Sequence, residues 1–269
     1  ETQIVDDPAA ADAIVAAQVD AGWRFIKVYT SLPAASYDAI VDAARLRGIR
    51  FLGHVPNSIS IEHALDSGQA SIEHLTGYAQ ALTRTQSNSA AAWADIDASR
   101  IPELAGRTAT AGAWNCPTMA IFVLLTEGMA PATRTRIFEN RAAVLRAFHS
   151  AGARLLAGSD AGIDRTAAGT SLHDELADVV AAGLSPYEAI RAATSGGAEF
   201  LEEEAEIGTV APGRRADLLI MAANPLEDVG ADRRLAQQRR ELRELLVRDV
   251  VADEQHGLDA ALAVLVQDA

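Results

Sequence analysis

The residues of this sequence that could do chemistry together are Lys27, His54, His74 and Asp160. Each lies within or soon after a short apolar segment that predicts a buried strand. The apolar run at positions 155–157 precedes Asp160, and glycines on both sides of this aspartate indicate that the strand gives way to a loop. Functional side chains of parallel α/β proteins gather at the carboxyl ends of the strands. A lysine, two histidines and an aspartate in such positions therefore predict a metal site.

The two histidines strengthen each other as candidates. Either one alone would more often be a hydrogen-bonded histidine than a metal ligand. His54 and His74, however, end consecutive predicted strands. Adjacent strands lie only ~4.8 Å apart, so both imidazoles could reach one ion. Neutral imidazoles together with the carboxylate of Asp160 are typical ligands of zinc or iron.

Lys27 admits two interpretations, and the residues alone do not decide between them. A lysine within an apolar strand is costly unless it is paired or modified. It could reach solvent or pair with Asp160, or it could be carbamylated and present two oxygens that bridge two metal ions. Tyr29, two positions further along, is a candidate substrate contact. His173 follows the Asp160 loop and is another, with an ordinary histidine outside the site as the alternative.

The elements that position these residues alternate between strand and helix about five times. Such alternation predicts a parallel sheet with right-handed crossovers. A closed eight-stranded barrel and an open doubly wound sheet both fit, although no glycine-rich phosphate-binding motif follows any strand. After Glu206 the pattern changes to turns, an accessory strand at Ala216–Met221 and charged helices. The predicted strands of the main repeat are 25–29, 49–53, 70–72, 113–117 and 155–157. The longer predicted helices are 7–21, 31–48, 101–111, 132–150, 171–182 and 186–194, with an irregular segment over 79–99.

The composition excludes several classes of partner. The formal net charge of −14 argues against nucleic acid and against anionic membranes, because both require a positive protein surface. No apolar run reaches the ~18 residues of a membrane span. The only cysteine, Cys116, cannot form an intrachain disulfide and is expected to be a buried structural thiol. We expect a cytoplasmic protein that acts on a small molecule.

Five segments, taken in order, resemble the amidohydrolase superfamily, and most of all its imidazolonepropionase- and prolidase-like branch. They are Ile26–Tyr29, Gly53–Pro56, Ser71–His74, Gly158–Gly162 and Gly208–Leu218. The resemblance implies an α/β fold, a (β/α)8 TIM-type barrel with its strands four to eight in this chain, and part of a small accessory β-sandwich. It implies a barrel portion over residues 1–205, and a sandwich segment with C-terminal helices over residues 206–269.

The same resemblance implies a chemistry and a role for each residue. Lys27, His54, His74 and Asp160 correspond to the family's metal ligands, with Lys27 carboxylated and Asp160 also the catalytic proton shuttle. The metal would be zinc, as one or two ions, with iron or manganese as alternatives. The expected reaction is hydrolysis of a small amide: a dipeptide, an N-acyl amino acid or a cyclic amide. The alternatives are a lactone or ester hydrolase of the same fold, and a non-catalytic barrel fragment that binds a ligand or a partner chain.

One departure from the family pattern affects the expected partners. The family's first strand carries a His-x-His pair, and no such pair occurs in this sequence. The resemblance begins near the end of the family's third strand. Five strands of eight would leave two open edges, so we expect the chain to associate with the missing N-terminal portion or to form a homo-oligomer. On this expectation the chain would not fold stably alone as a monomer.

Overall fold

The sheet that carries the candidate residues is parallel throughout. The computed structural model describes residues 3–162, 166–219, 221 and 223–229. Its five strands lie side by side in chain order, and consecutive strands are joined by helical crossovers, as the alternation predicted. The strands are β1 (Phe25–Val28), β2 (Arg50–Gly53), β3 (Ser71–Glu73), β4 (Trp114–Cys116) and β5 (Arg154–Leu155).

The helices begin and end largely where the sequence places start and stop signals. At the start of α9 (Pro186–Ala193), the Ser185 side chain accepts a hydrogen bond from the Glu188 amide, and the Glu188 carboxylate accepts one from the Ser185 amide. Gly48 ends α2 (Ala34–Arg47) in the left-handed conformation, with φ of 63°. The helices are α1 (Ala11–Asp20), α2 (Ala34–Arg47), α3 (Ile61–Asp66), α4 (Tyr78–Leu82), α5 (Ile101–Ala111), α6 (Met119–Leu125), α7 (Pro131–Ala151), α8 (Thr170–Ala181), α9 (Pro186–Ala193) and α10 (Ser195–Leu201).

The strand before Asp160 is shorter than the apolar run suggested. After Leu155, the amide of Leu156 still donates to the carbonyl of Asn115 at 2.9 Å. The next amide, that of Ala157, instead donates to Ala192 of α9 at 3.2 Å. The chain therefore leaves the sheet before Asp160 and approaches that residue through a loop that α9 supports.

The core is built from aromatic side chains that join helices to the sheet. Tyr37 of α2 lies edge-on to Phe51 of β2, with ring centroids 6.1 Å apart, and Tyr78 lies 4.9 Å from Phe148 of α7. Both tyrosines are fully buried, and each hydroxyl has a partner; that of Tyr78 donates to the Asn115 side chain at 2.7 Å. Burial of one large apolar side chain contributes roughly 1.5–3 kcal/mol, so this layer fixes the helices that position the site.

The two outer strands each have one neighbour among the described residues. β1 pairs only with β2, and β5 only with β4. A groove of about 510 Å³ runs beside β1, and the exposed side chains of Ile4, Trp23 and Tyr29 line part of it. The eight-stranded barrel therefore stays a prediction.

The segment after position 205 carries no strand in the described ranges. Ala216–Leu219 is not paired with another strand there, so the accessory sandwich and the division at residue 205 stay predictions. The predicted C-terminal helices lie in 230–269, outside the described residues. In the segments that the structure covers, we find no helix that combines the length and the hydrophobicity needed to cross a bilayer.

Candidate metal centre

His54 and His74 meet at the carboxyl ends of β2 and β3. Their rings are 4.7 Å apart between centroids and stand nearly perpendicular, at 79°. The sequence predicted that two adjacent strands would bring these imidazoles together, and the structure places them in contact. One small ion could therefore be reached from both rings.

Gly53 explains how β2 delivers His54 to this place. Its φ of +119° is open to glycine but strained for other residues. A Cβ atom at this position would lie 2.4 Å from the Val28 carbonyl oxygen of β1, which is an impossible contact. Without a side chain the two strands can approach, and the His54 amide then donates to that same carbonyl at 3.0 Å. This hydrogen bond fixes where the His54 side chain starts.

Burial keeps both imidazoles neutral at ordinary pH. Burial lowers the pKa of His54 to about 3. Two further contributions are repulsion from His74 when that residue is protonated and repulsion from the Lys27 ammonium. Loss of solvent also lowers the pKa of His74 to about 4, with additional contributions from Lys27 and Arg141. A neutral imidazole offers one nitrogen lone pair, which is the form that binds a metal ion.

Asp160 lies across from His74. Its Oδ2 atom is 3.8 Å from His74 Nε2, and its side chain remains 37% exposed, against 12% for the histidine. The Asp160 backbone is left-handed, with φ of 51°, and its carbonyl accepts a hydrogen bond from the Thr166 hydroxyl at 3.2 Å. The carboxylate therefore faces the histidine pair while it can still reach solvent or a small molecule.

Lys27 is exposed on β1, and its positive charge contributes to the low pKa values of both histidines. The structure records no ion pair between Lys27 and Asp160, so the alternative in which these two residues pair is not supported. The composition of the sequence gives a further indication that Lys27 is unusual. Of its 23 cationic residues, 22 are arginine, and Lys27 is the only lysine. At this one position the chain has a primary amine, which can be carboxylated, rather than a guanidinium.

The two predicted substrate contacts are placed differently. The Tyr29 ring stacks on the ring of His54, with centroids 4.1 Å apart, and 56% of the tyrosine is exposed. His173 is half-buried in the first turn of α8. That turn is tied to the loop before Asp160, because the hydroxyls of Ser159 and Ser171 lie 2.7 Å apart. Tyr29 thus lies directly beside the histidine pair, whereas His173 lies on a helix that contacts the loop before Asp160.

The sequence analysis did not identify three buried residues that lie near the site: Thr118, Arg141 and Glu175. Arg141 is fully buried in α7, where it donates to the His74 carbonyl at 3.2 Å and to the Pro117 carbonyl at 2.5 Å. Its guanidinium also lies 3.4 Å from the centroid of the Phe122 ring. Its burial could have been predicted from its position in the helix. The buried face of α7 includes residues 137, 141, 144, 145 and 148, and all of these except Arg141 are apolar.

Glu175 and Cys116 are two further buried polar groups near these loops. Glu175 of α8 accepts a hydrogen bond from the Ala120 amide at 2.9 Å, and burial raises the pKa of its carboxyl to about 7. Cys116 is a buried free thiol, as expected, and burial raises its pKa well above the usual range. Cys116 is therefore unsuited to act as a nucleophile.

The donor set fits a divalent ion. Nδ1 of His54 is buried and has no hydrogen-bond partner, which is costly unless something else binds it. Two neutral imidazoles and a carboxylate are the donors that zinc and similar ions prefer. Among the described residues, no three His, Cys, Asp or Glu side chains form a ready metal cage. The fit therefore rests on the chemistry of the donors and on the orphaned atom, not on a preformed coordination geometry.

Comparison with known proteins identifies the family of this chain. The sequence matches the Amidohydrolase family over residues 16–250. The chain belongs to the amidohydrolase family. A search of curated protein sequences found no match to this chain.

Solved structures share the fold of this amidohydrolase-family chain. They include a Xaa-Pro dipeptidase with methionine bound in its active site, which is 21% identical in sequence and has a TM-score of 0.61. This match covers 86% of the present chain and 58% of the dipeptidase chain. The A. niger ochratoxinase is also 21% identical, with a TM-score of 0.61 and coverage of 85% and 51%. The bottromycin amidohydrolase is 24% identical, with a TM-score of 0.55 and coverage of 74% and 51%. The chain thus spans little more than half the length of these neighbours.

Proposed function

We propose that this chain carries most of the active site of a metal-dependent hydrolase that cleaves a C–N bond in a small amide. The observation that carries the proposal is the meeting of two neutral, buried histidines with a partly exposed aspartate at the carboxyl edge of a parallel sheet. In barrel enzymes this edge holds the catalytic residues. Membership of the amidohydrolase family supports the reaction class.

In this proposal His54 and His74 hold the ion, together with Asp160 and a carboxylated Lys27. Zinc suits these donors best, with iron or manganese as alternatives. The bound ion supplies Lewis acidity, which makes water nucleophilic near neutral pH and polarises a carbonyl group. Carboxylation of Lys27 is supported by electrostatics, because it replaces a positive charge beside the cation site with a negative one. It is also supported by the status of Lys27 as the only lysine of the sequence.

Asp160 is the proposed catalytic acid and base. Its partial exposure lets it meet both water and substrate, unlike the more buried histidines. The carboxylate accepts the proton of the attacking water at Oδ2 and passes it to the leaving nitrogen as the C–N bond breaks. The exposed face of Tyr29 would then bound the substrate pocket on the side of His54.

The substrate class is a dipeptide, an N-acyl amino acid or a cyclic amide. Neighbouring structures bear the names of a Xaa-Pro dipeptidase, a bottromycin amidohydrolase and an ochratoxinase, which favours amides. We further propose that β1 to β5 are strands four to eight of a (β/α)8 barrel and that further strands close it at the open edges of β1 and β5. Residues 206–269 would belong to an accessory sandwich, and the enzyme would act in the cytoplasm.

The decisive experiment measures metal in the complete natural polypeptide. His54→Ala should remove most of the bound zinc after gel filtration, as measured by elemental analysis, together with nearly all amide hydrolysis. His63→Ala is the matched control, because His63 lies on the surface of α3 and pairs with Asp38 at 2.7 Å. A panel of dipeptides, N-acyl amino acids, cyclic amides and a lactone then defines the bond that is cut. Stoichiometric metal in His54→Ala would refute the assignment.

A further inference from the structure

The Thr118 hydroxyl stands between two possible hydrogen-bond partners. Its Oγ1 atom lies 2.7 Å from His74 Nδ1 and 2.8 Å from the carbonyl oxygen of Pro117. A carbonyl can only accept, so both contacts are hydrogen bonds only when the single hydroxyl proton is donated to Pro117. Toward His74 the hydroxyl then acts as an acceptor. This arrangement requires a proton on His74 Nδ1.

We infer that Thr118 is a positioning residue that holds His74 as the Nδ1–H tautomer and so leaves the lone pair on Nε2. Nε2 is the nitrogen that faces Asp160 Oδ2 at 3.8 Å. The proposed metal site therefore receives a lone pair where it needs one, rather than an N–H group. The tautomer of His74 follows from its contact with Thr118 and does not depend on a metal. Only the effect of the tautomer on metal binding rests on the proposed function.

The backbone supports a dedicated role for this contact. Thr118 has φ of 45° and His74 has φ of 60°, both in the left-handed region. That conformation is uncommon for any residue with a side chain and is an outlier for a β-branched one. Such strain persists only where the surroundings enforce it, and it clusters at functional sites.

Arg141 is the group that enforces it. The buried guanidinium donates to the carbonyls of both His74 and Pro117, and so ties together the two loops that follow β3 and β4. The His74 amide adds a third link, since it donates to the Cys116 carbonyl at 2.8 Å. The Pro117 carbonyl can accept from Arg141 and Thr118 at once, because it has two lone pairs. The hydroxyl is thus held with its lone pairs available to His74.

The test reads the tautomer directly. Long-range ¹H–¹⁵N spectra of the metal-free, complete polypeptide at pH 8 distinguish a protonated Nδ1 from a protonated Nε2 in a neutral imidazole. The sequence has six histidines, and the spectrum of a His74→Gln variant assigns the His74 signals. Two substitutions of Thr118 form a matched pair: Thr118→Val keeps the β-branch and loses the hydroxyl, while Thr118→Ser keeps the hydroxyl.

The expected result is an Nδ1–H tautomer in the natural protein and in Thr118→Ser, and a loss of that preference in Thr118→Val. Zinc affinity, measured by competition with a chelator, should fall about 10- to 100-fold in Thr118→Val and recover in Thr118→Ser. If the natural protein binds no zinc, the proposed function fails, whereas the tautomer is judged by its own spectrum. An Nε2–H tautomer in the natural protein would overturn the inference even if Thr118→Val fails to fold. An unchanged His74 spectrum in a folded Thr118→Val would overturn it as well.

Discussion

The ring of Tyr29 lies face to face with the ring of His54, with centroids 4.1 Å and planes 27° apart. The tyrosine is 56% exposed, whereas His54 is only 8% exposed. Tyr29 therefore separates the buried imidazole from solvent on one side. Its own outer face remains available to a substrate, so one side chain both protects a proposed ligand and bounds the proposed pocket.

Substitution of Tyr29 should distinguish the ring from its hydroxyl. Tyr29→Ala opens His54 to water and removes an apolar wall, so kcat/KM should fall about 10-fold or more, mainly through KM. Tyr29→Phe keeps the stack and should retain most of the activity. Steady-state kinetics on the best amide substrate provide the measurement. Equal losses in the two variants would assign the role to the hydroxyl, and no loss in Tyr29→Ala would remove Tyr29 from the site.

The sequence could predict the histidine pair because its logic is local. Each histidine ends an apolar segment, and parallel strands bring such ends to one edge, so no knowledge of distant contacts was required. The sequence shows a glycine at position 53, but it does not show that this residue adopts φ of +119°, because that conformation depends on how closely β1 approaches. The same holds for β5, whose early end is set by a hydrogen bond from Ala157 to α9. These features arise from tertiary packing, which periodicity does not encode.

The buried network beneath the site was harder to foresee, for a different reason. An arginine in a helix is ordinarily a surface residue, because burial of a guanidinium is costly. Only the apolar residues that share its helix face indicate that Arg141 is buried. That its partners are the carbonyls of His74 and Pro117 follows from the loop conformation alone.

Loss of Lys27 should abolish activity in a way that small acids can repair. Lys27→Ala removes the proposed carboxylated amine, so activity of the complete polypeptide should fall to the background rate. Added short carboxylic acids, such as acetate or propionate, together with zinc should restore part of the turnover, because they supply the missing oxygens. Lys27→Arg should be inactive despite the same charge as an unmodified lysine, since a guanidinium does not form a carbamate.

The unique lysine makes the modification itself measurable. With ¹³C-bicarbonate present, the natural protein should show a carbamate signal that disappears in Lys27→Arg, and within this sequence no other lysine side chain can contribute. Natural turnover in Lys27→Ala would show that the lysine is not a ligand. Absence of the carbamate signal in the zinc-loaded protein would exclude the modification, whatever the activity.

Arg141 should be important for stability far beyond a typical charged residue. Arg141→Met leaves the buried His74 carbonyl without its side-chain donor, takes one of two donors from the Pro117 carbonyl and removes a positive charge near Glu175. The free energy of unfolding should therefore fall by about 3–5 kcal/mol. Arg136→Met on the same helix is the control. Arg136 is largely exposed and pairs with Asp95 at 3.6 Å, so its loss should change stability by about 0–1 kcal/mol. Urea unfolding curves followed by circular dichroism measure both, and equal effects would contradict the role of Arg141.

Glu175 should give the free energy of unfolding a specific pH dependence. Burial raises its pKa from 4.5 to about 7 in the folded protein. A raised folded-state pKa means that the folded protein binds the extra proton, so the stabilisation is complete below pH 4.5 and is lost as the pH rises through about 7. At 1.36 kcal/mol per pKa unit, the loss across this window is about 3 kcal/mol.

The buried histidines oppose this effect, so a difference between two proteins must be measured. The pKa values of His54 and His74 are lowered on folding, to about 3 and about 4, and they therefore destabilise the protein as the pH falls below 6.5. That contribution cancels when the natural protein is compared with Glu175→Gln, whose side chain can still accept from the Ala120 amide. The stability of the variant relative to the natural protein should rise by about 3 kcal/mol between pH 4.5 and pH 7. Glu103 is exposed, so Glu103→Gln is the control and should show no such trend. If the free energies of unfolding of Glu175→Gln and the natural protein change in parallel with pH, Glu175 ionises normally in the folded protein.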